Sequence, residues 1–481
     1  MTHARSFAAA AVFAILWNTP APVHATDQPV QVALRPVMEG TDVVTDINVV
    51  GDWIYACTQP GLLLRTRLPS GSPTVFLDLR SKVGTLGSRI PALPGLGYPA
   101  AGTYDERGLL GFAAHPDFVR NGLFWVWYSA IDDHTASPPG FFQWLVSTST
   151  PWDMSQWDHV DRLEEYRVVG GAPVFQRTLL KLKRPYFNHT GFQSLVWSPE
   201  LDTLVLGLGD GGSEYDPNNI AQDDDQLSGK LLRIDLARLR GRDYTSDPPV
   251  ATFTDLRQLN VPDGAFLTLA KGLRNPSKLH HERAPRHGDG DDARWIKYLA
   301  NTGQDTIEWI DAFDDYGINV GFRPWEGIFP TSFEIGGTRV ISYGFEAVQL
   351  RNHYRPLVSY SHLDPVLRPN ANTGSALYRG RAIPGLTGQL VFTDWFSFDP
   401  ATHTSKGLLL HAPVNRSDLQ EQQPVAAVDV DSSPAVPPGS TLYYTSINTN
   451  PAGDRIFIGG YKSVQFILNP GEGGVYEVVA R

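Results

Sequence analysis

The 481-residue chain has one cysteine, Cys57, so no intramolecular disulfide can form and no thiolate metal cluster or c-type haem attachment is available. Cys57 lies in Trp53-Ile54-Tyr55-Ala56-Cys57, a strand-like run without a basic neighbour, and reads as a buried, inert thiol. Clustered positive charge is lacking too. The formal net charge is −11, which excludes nucleic acid as the main partner and disfavours an anionic membrane surface. Beyond the first 25 residues no apolar run approaches the roughly 18 residues of a membrane span. With 42% hydrophobic and 19% charged residues, the chain nevertheless folds.

The 45 glycines and 37 prolines are scattered, a distribution suited to many short strands joined by turns. The N-terminus reads differently. A basic start, Met1 to Arg5, precedes the apolar run Ser6 to Trp17, and Val23-His24-Ala25 presents a cleavage site. Residues 1–25 are therefore expected to be a signal peptide, and residues 26–481 an exported, periplasmic or secreted, product without a membrane span.

A phrase recurs along the mature chain: a turn, a few polar residues, then a β-rich run. It appears as His115-Pro116-Asp117 before Leu123–Trp127, Ser198-Pro199-Glu200 before Thr203–Gly207, and Asn450-Pro451-Ala452 before Ile456–Gly460. Weaker copies include Trp53-Ile54-Tyr55, Trp295–Leu299 and Gln389–Phe392. Six units of roughly 75 residues fit four-stranded blades with generous loops. The expectation is an all-β fold, a six-bladed β-propeller with long inter-strand loop insertions at Ser81 to Tyr104, Asp132 to Gly171 and Thr331 to His362. Two β-sandwich domains are the alternative architecture.

Chemistry-bearing residues concentrate in three stretches. Asn188-His189-Thr190-Gly191 precedes a strand, and Gly207-Leu208-Gly209-Asp210-Gly211-Gly212 follows one. A carboxylate beside an imidazole fixes its tautomer and raises its basicity, as a general base requires. The glycine spacing formally matches a dinucleotide fingerprint, but the acidic, turn-forming sequence after it would repel a pyrophosphate. Its Asp, Asn and Gly residues suit either calcium or a solvated acidic loop. Lys271-Gly272-Leu273-Arg274-Asn275-Pro276 offers a planar donor fork and an amide for a carboxylate, or a plain surface turn. In Asn301-Thr302-Gly303-Gln304-Asp305, Gly303 exposes a main-chain carbonyl for a cation, or makes a simple turn.

In order, these pieces resemble the soluble glucose/sorbosone dehydrogenase family, sugar dehydrogenases that use pyrroloquinoline quinone (PQQ). The resemblance runs through Glu106–Phe118, Asn188–Gly191, Gly209–Gly212, Gly229–Asp235, Gly272–Pro276, Gly303-Gln304 and Tyr378-Arg379-Gly380. It implies a six-bladed propeller that oxidises a sugar or related alcohol and passes electrons to an external acceptor. His189 matches the catalytic base and Asp210 its supporting carboxylate. Glu106 (usually glutamine in the family), Arg274 and Asn275 match the quinone pocket, and Gly303 and Gln304 match positions whose carbonyls hold Ca2+. Two departures stand out. Tyr443–Asn448 offers no cation where the family has an arginine pair, and Lys406 is only an ambiguous match for a fifth-blade lysine. Two other readings stay open: a non-catalytic propeller binding a protein or glycan, and a calcium-dependent lactonase-like hydrolase.

Overall fold

The computed structural model describes residues 29–87, 105–133, 157–212, 214–245, 261–285, 293–335, 338–463 and 470–481. The expected signal peptide and parts of the long insertions lie outside the described residues.

Six sheets of at least four strands form a propeller. Blade one comprises Val44–Val50, Trp53–Thr58, Leu62–Arg67 and Thr74–Asp78, and blade two Leu109–Ala114, Leu123–Ala130, His159–Val169 and Ala172–Arg184. Blades three and four open with Leu195–Ser198 and Pro276–Pro285, blade five with Asn372–Leu377, blade six with Thr441–Thr449. These opening strands neighbour one another around the axis. The six recurring phrases all fall on the second strand of a blade: Trp53–Thr58, Leu123–Ala130, Thr203–Leu208, Ala293–Asn301, Leu390–Asp399 and Ile456–Ser463.

Second strands are conspicuous in the sequence because both of their faces are buried. Successive side chains point to opposite faces of a strand. Trp125 and Trp127 pack toward blade three beside Leu195, Leu204 and Leu206. Phe124, Val126 and Tyr128 pack toward blade one against Tyr55 and Phe76. The core is thus a ring of apolar layers, one between each pair of neighbouring blades.

Closure uses the start of the described chain. Gln31–Thr41 pairs antiparallel with Gly473–Ala480, with Leu34 opposite Val478, and so supplies the outer part of blade six. The insertions are shorter than the sequence suggests. Asp132 to Gly171 contains the blade-two strand His159–Val169, and Thr331 to His362 contains a hairpin, the short helix Gly344–Gln349 and the blade-four strand Val358–Ser361.

Side chains plug the axis. Lys278 of blade four forms an ion pair with Asp46 Oδ1 of blade one at 2.5 Å and donates to the Ile47 carbonyl at 2.9 Å. Gln193 Nε2 donates to the carbonyls of Thr373 and Thr445, in blades five and six, at 2.8 and 2.9 Å. Cys57 is buried, and burial pushes its thiol well above the ordinary range.

Candidate active site

Topology puts the candidate residues at one mouth of the ring. Glu106, His189, Arg274 and Asn275 lie in segments leading into opening strands, while Asp210, Gly303 and Gln304 follow second strands. Both kinds of connection emerge at the same end of antiparallel blades.

His189 and Asp210 meet there: Nδ1 lies 2.7 Å from Oδ1, and both side chains are buried. Oδ1 also accepts the Gly212 amide at 2.9 Å. Two donors converging on one oxygen favour a carboxylate that receives the proton on Nδ1, leaving the Nε2 lone pair unused within the pair. Burial, then the nearby Arg274 charge, lowers the imidazole to about 3, so the ring is neutral at pH 7. Burial raises the Asp210 carboxyl, against the pull of Arg274.

His189 takes a left-handed backbone conformation, φ 55°, costly for a residue with a side chain. Its backbone is held from both sides. Its amide donates to Glu106 Oε2 at 2.7 Å, and its carbonyl accepts Arg184 Nη2 at 2.6 Å. Gly209 explains part of the glycine pattern: a Cβ there would lie 2.1 Å from the His189 carbonyl oxygen. The Gly207–Gly212 glycines thus serve close packing of two loops.

Each nitrogen of the Arg274 guanidinium has one partner within the chain. Nε donates to Gln304 Oε1 at 3.0 Å, Nη1 to the Thr302 carbonyl at 3.1 Å, and Nη2 to Glu214 Oε2 at 3.1 Å. Gln304 Nε2 also donates to that Glu214 oxygen. Asn275 connects this group to the base: Oδ1 accepts the Gly191 amide at 3.2 Å, and Nδ2 donates to Glu106 Oε2 at 3.3 Å.

The loop bearing Gly303 and Gln304 wraps a carboxylate. Glu326 Oε1 accepts the amides of Gln304, Asp305, Thr306 and Ile307 at 2.9, 3.0, 2.7 and 2.9 Å. Gly303 donates to Glu308 Oε2 at 3.0 Å, and a Cβ on Gly303 would fall 1.9 Å from the Ile307 carbonyl oxygen. The other Glu308 oxygen lies 2.7 Å from His362 Nε2. Paired with Glu308, His362 is raised to about 9 despite its burial, making it an imidazolium at neutral pH.

No family model matches the chain. It is 24% identical to the HIPL1 protein of Arabidopsis thaliana over 382 residues, 71% of this chain and 49% of that protein. It is 26% identical to human Hedgehog-interacting protein over 188 residues, 38% of this chain and 23% of that protein. The chain thus spans about half or less of the length of these curated relatives. A glucose dehydrogenase-type oxidoreductase of Thermus thermophilus superposes with a TM-score of 0.55 at 15% identity, covering 93% of this chain and all of that one (100%). The apo-form soluble aldose sugar dehydrogenase of Escherichia coli gives 0.54 at 14% identity, covering 94% and 100%. The fold is that of the soluble sugar dehydrogenases.

Within the sugar-dehydrogenase fold, two absent groups can be tested against the residues present. A calcium ion needs oxygen donors. No group of three His, Cys, Asp or Glu side chains suited to a metal occurs among the described residues. The carbonyls of Gly303 and Gln304 accept no hydrogen bond among those residues, because the loop's amides turn toward Glu326. Glu326 Oε2 is likewise buried without a partner among the described residues. The peptides that aim their amides at Glu326 aim the Gly303 and Gln304 carbonyls away from it, so the loop itself supplies two of the roughly six to eight oxygens that calcium takes. For a quinone carboxylate the Arg274 fork would be the receptor, and its Nη2 already donates to the Glu214 carboxylate.

The other expected cations do not complete the pocket. Lys406 is exposed on the third strand of blade five, opposite Ser397. In Tyr443–Asn448, Thr445 and Asn448 bond to blade one through the carbonyls of Val44 and Ile47. Glu326 and His362 carry no signal in the sequence, since each acquires its role through contacts distant in the chain, and Arg184, five residues before His189, lies outside the motif that marks the loop. Glu214 and Glu308 are visible there only as members of acidic stretches.

Proposed function

We propose that the chain is an exported dehydrogenase, periplasmic or secreted, that oxidises a sugar (an aldose) or a related alcohol with PQQ and Ca2+ as cofactors. The carrying observation is the neutral His189 imidazole paired with the Asp210 carboxylate at the mouth of a sugar-dehydrogenase propeller. His189 Nε2 takes the proton of the reacting hydroxyl, and Asp210 stabilises the imidazolium as it forms. Glu106 and Arg184 hold the His189 backbone in its strained conformation, so the ring needs little reorganisation during the step. Arg274 receives a cofactor carboxylate, Asn275 fixes the wall between Arg274 and Glu106, and the carbonyls of Gly303 and Gln304 hold the cation. When bound, the quinone accepts the hydride and calcium polarises it. The electrons then leave to an external acceptor.

The test is equilibrium binding of PQQ with and without calcium, followed by dye reduction on a panel of aldoses and alcohols. Calcium-dependent, near-stoichiometric binding that Arg274→Ala weakens supports the reading. No binding at tens of micromolar quinone, where the free energy has shrunk to about −6 to −7 kcal/mol, overturns it. One observation favours a second reading, a propeller that binds a protein or glycan without catalysis. The matched relatives include Hedgehog-interacting protein, and the cation-free Tyr443–Asn448 strand leaves Arg274 as the main receptor for a cofactor with several carboxylates.

A further inference from the structure

Glu214 occupies the position that an anionic ligand would claim. Its Oε2 accepts from Arg274 Nη2 at 3.1 Å and also from Gln304 Nε2, while Gln304 Oε1 takes Arg274 Nε at 3.0 Å and the Tyr215 amide at 2.9 Å. Arg274 Nη1 donates to the Thr302 carbonyl. Arg274 is buried, and its side chain is 6% exposed against 14% for Glu214. A buried guanidinium with one carboxylate forms a neutral pair, and removing either partner strands the other charge. Glu106 and Asp210 flank His189 on the other side, with the Arg184 guanidinium against the His189 carbonyl. A carboxylate arriving on the Glu214 side of Arg274 meets a carboxylate already there, and it gains that position only by replacing Glu214, which then turns to water or a cation.

We infer that Glu214 is an internal ligand of Arg274 that sets the charge class of what the pocket binds. Neutral sugars and alcohols enter without disturbing the pair, whereas a carboxylate that takes the Glu214 side of Arg274 binds by exchange with Glu214. This rests on the dehydrogenase reading for the identity of the natural carboxylate, but not for the exchange itself.

The experiment separates the two by using two probes on the full mature chain. PQQ with calcium is the first. Isophthalate, an aromatic dicarboxylate with no redox chemistry, is the second. Binding is measured by calorimetry for wild type, Glu214→Gln, Arg274→Gln and the double variant, with circular dichroism to establish folding. Glu214→Gln keeps an amide in the same volume and removes the competing charge. It is expected to tighten isophthalate at least tenfold, and the gain should vanish in the double variant. A gain with isophthalate but no PQQ binding in any variant would uphold the exchange and sink the quinone reading. Unchanged or weaker isophthalate binding in folded Glu214→Gln would overturn the exchange, whatever PQQ does. A gain that survives in the double variant would overturn it as well, because Arg274 would not be the group released.

Discussion

Lys278 and Asp46 join blades four and one across the propeller axis, with Nζ 2.5 Å from Oδ1 and both side chains buried. Burial pushes the Asp46 carboxyl up even beside the lysine, so the pair forms against a desolvation cost. Lys278→Met is expected to destabilise the fold by about 3–5 kcal/mol, because Asp46 is left buried without its cation. Pairing it with Asp46→Leu should recover much of the loss. Urea unfolding of the two single variants and the double variant checks this. Losses that simply add would show that the two residues do not act as a pair.

The base itself is tested by Asp210→Asn and His189→Gln. Removing the carboxylate is expected to lower kcat by about 10²–10⁴-fold while the fold persists. His189→Gln should abolish turnover. Steady-state kinetics with thermal melts as the folding control decide the matter, and retention of more than a tenth of wild-type kcat by His189→Gln would exclude His189 as the base.

The pH dependence of that pair follows from its burial. With the imidazole lowered and Asp210 raised, the first proton taken up as pH falls goes to Asp210. A protonated Asp210 donates to Nδ1, which moves the ring proton to Nε2 and removes the base. Activity should therefore fall as pH drops through a limb above the ordinary carboxylate range. In Asp210→Asn that limb should disappear from the kcat/KM profile, and its persistence there would assign it to another group.

Asp311 gives a prediction about stability. It is buried, and burial raises its carboxyl to about 8 despite hydrogen bonds from Asn301 and Trp309. In the unfolded chain the same group titrates near 3.8. Between those values the folded chain must hold a proton that the unfolded chain releases, so this group costs stability increasingly as pH rises from about 4 to 8. Asp311→Asn imitates the protonated form. It should raise the melting temperature at pH 8, by a gain of about 1–3 kcal/mol, and change little near pH 4. Equal gains at both pH values would contradict this.

Gly303→Ala tests the loop that presents the carbonyls. A methyl group there overlaps the Ile307 carbonyl at 1.9 Å, so the loop must move. Calcium affinity, read by calorimetry, should fall at least tenfold, and because Ile307 begins the buried third strand of blade four the thermal transition should fall with it; unchanged calcium affinity would contradict the role of the loop.

The blades are legible in the sequence because a strand buried on both faces reads as an apolar run; Leu123–Ala130 and Ile456–Ser463 are such runs. His189, Asp210 and Arg274 are legible because glycine-bounded turns punctuate the same strands. The rest depends on contacts distant in the chain. Nothing near Glu326 signals that four amides will close on it, and nothing near His362 signals that Glu308 will keep it charged. Ring closure by Gln31–Thr41 is illegible for a similar reason, since its pairing with Gly473–Ala480 spans the whole chain.

The most direct test of the central claim is single-turnover oxidation of an aldose carrying deuterium at its reacting carbon. The mature protein would be loaded with calcium and quinone, beside the same preparation of His189→Gln. The account predicts a primary isotope effect on quinone reduction in the wild type and no reduction in the variant, although the variant still binds the quinone. Quinone reduction at equal rates in the two proteins, or a loaded wild type that reduces its quinone with no aldose or alcohol at all, would contradict it.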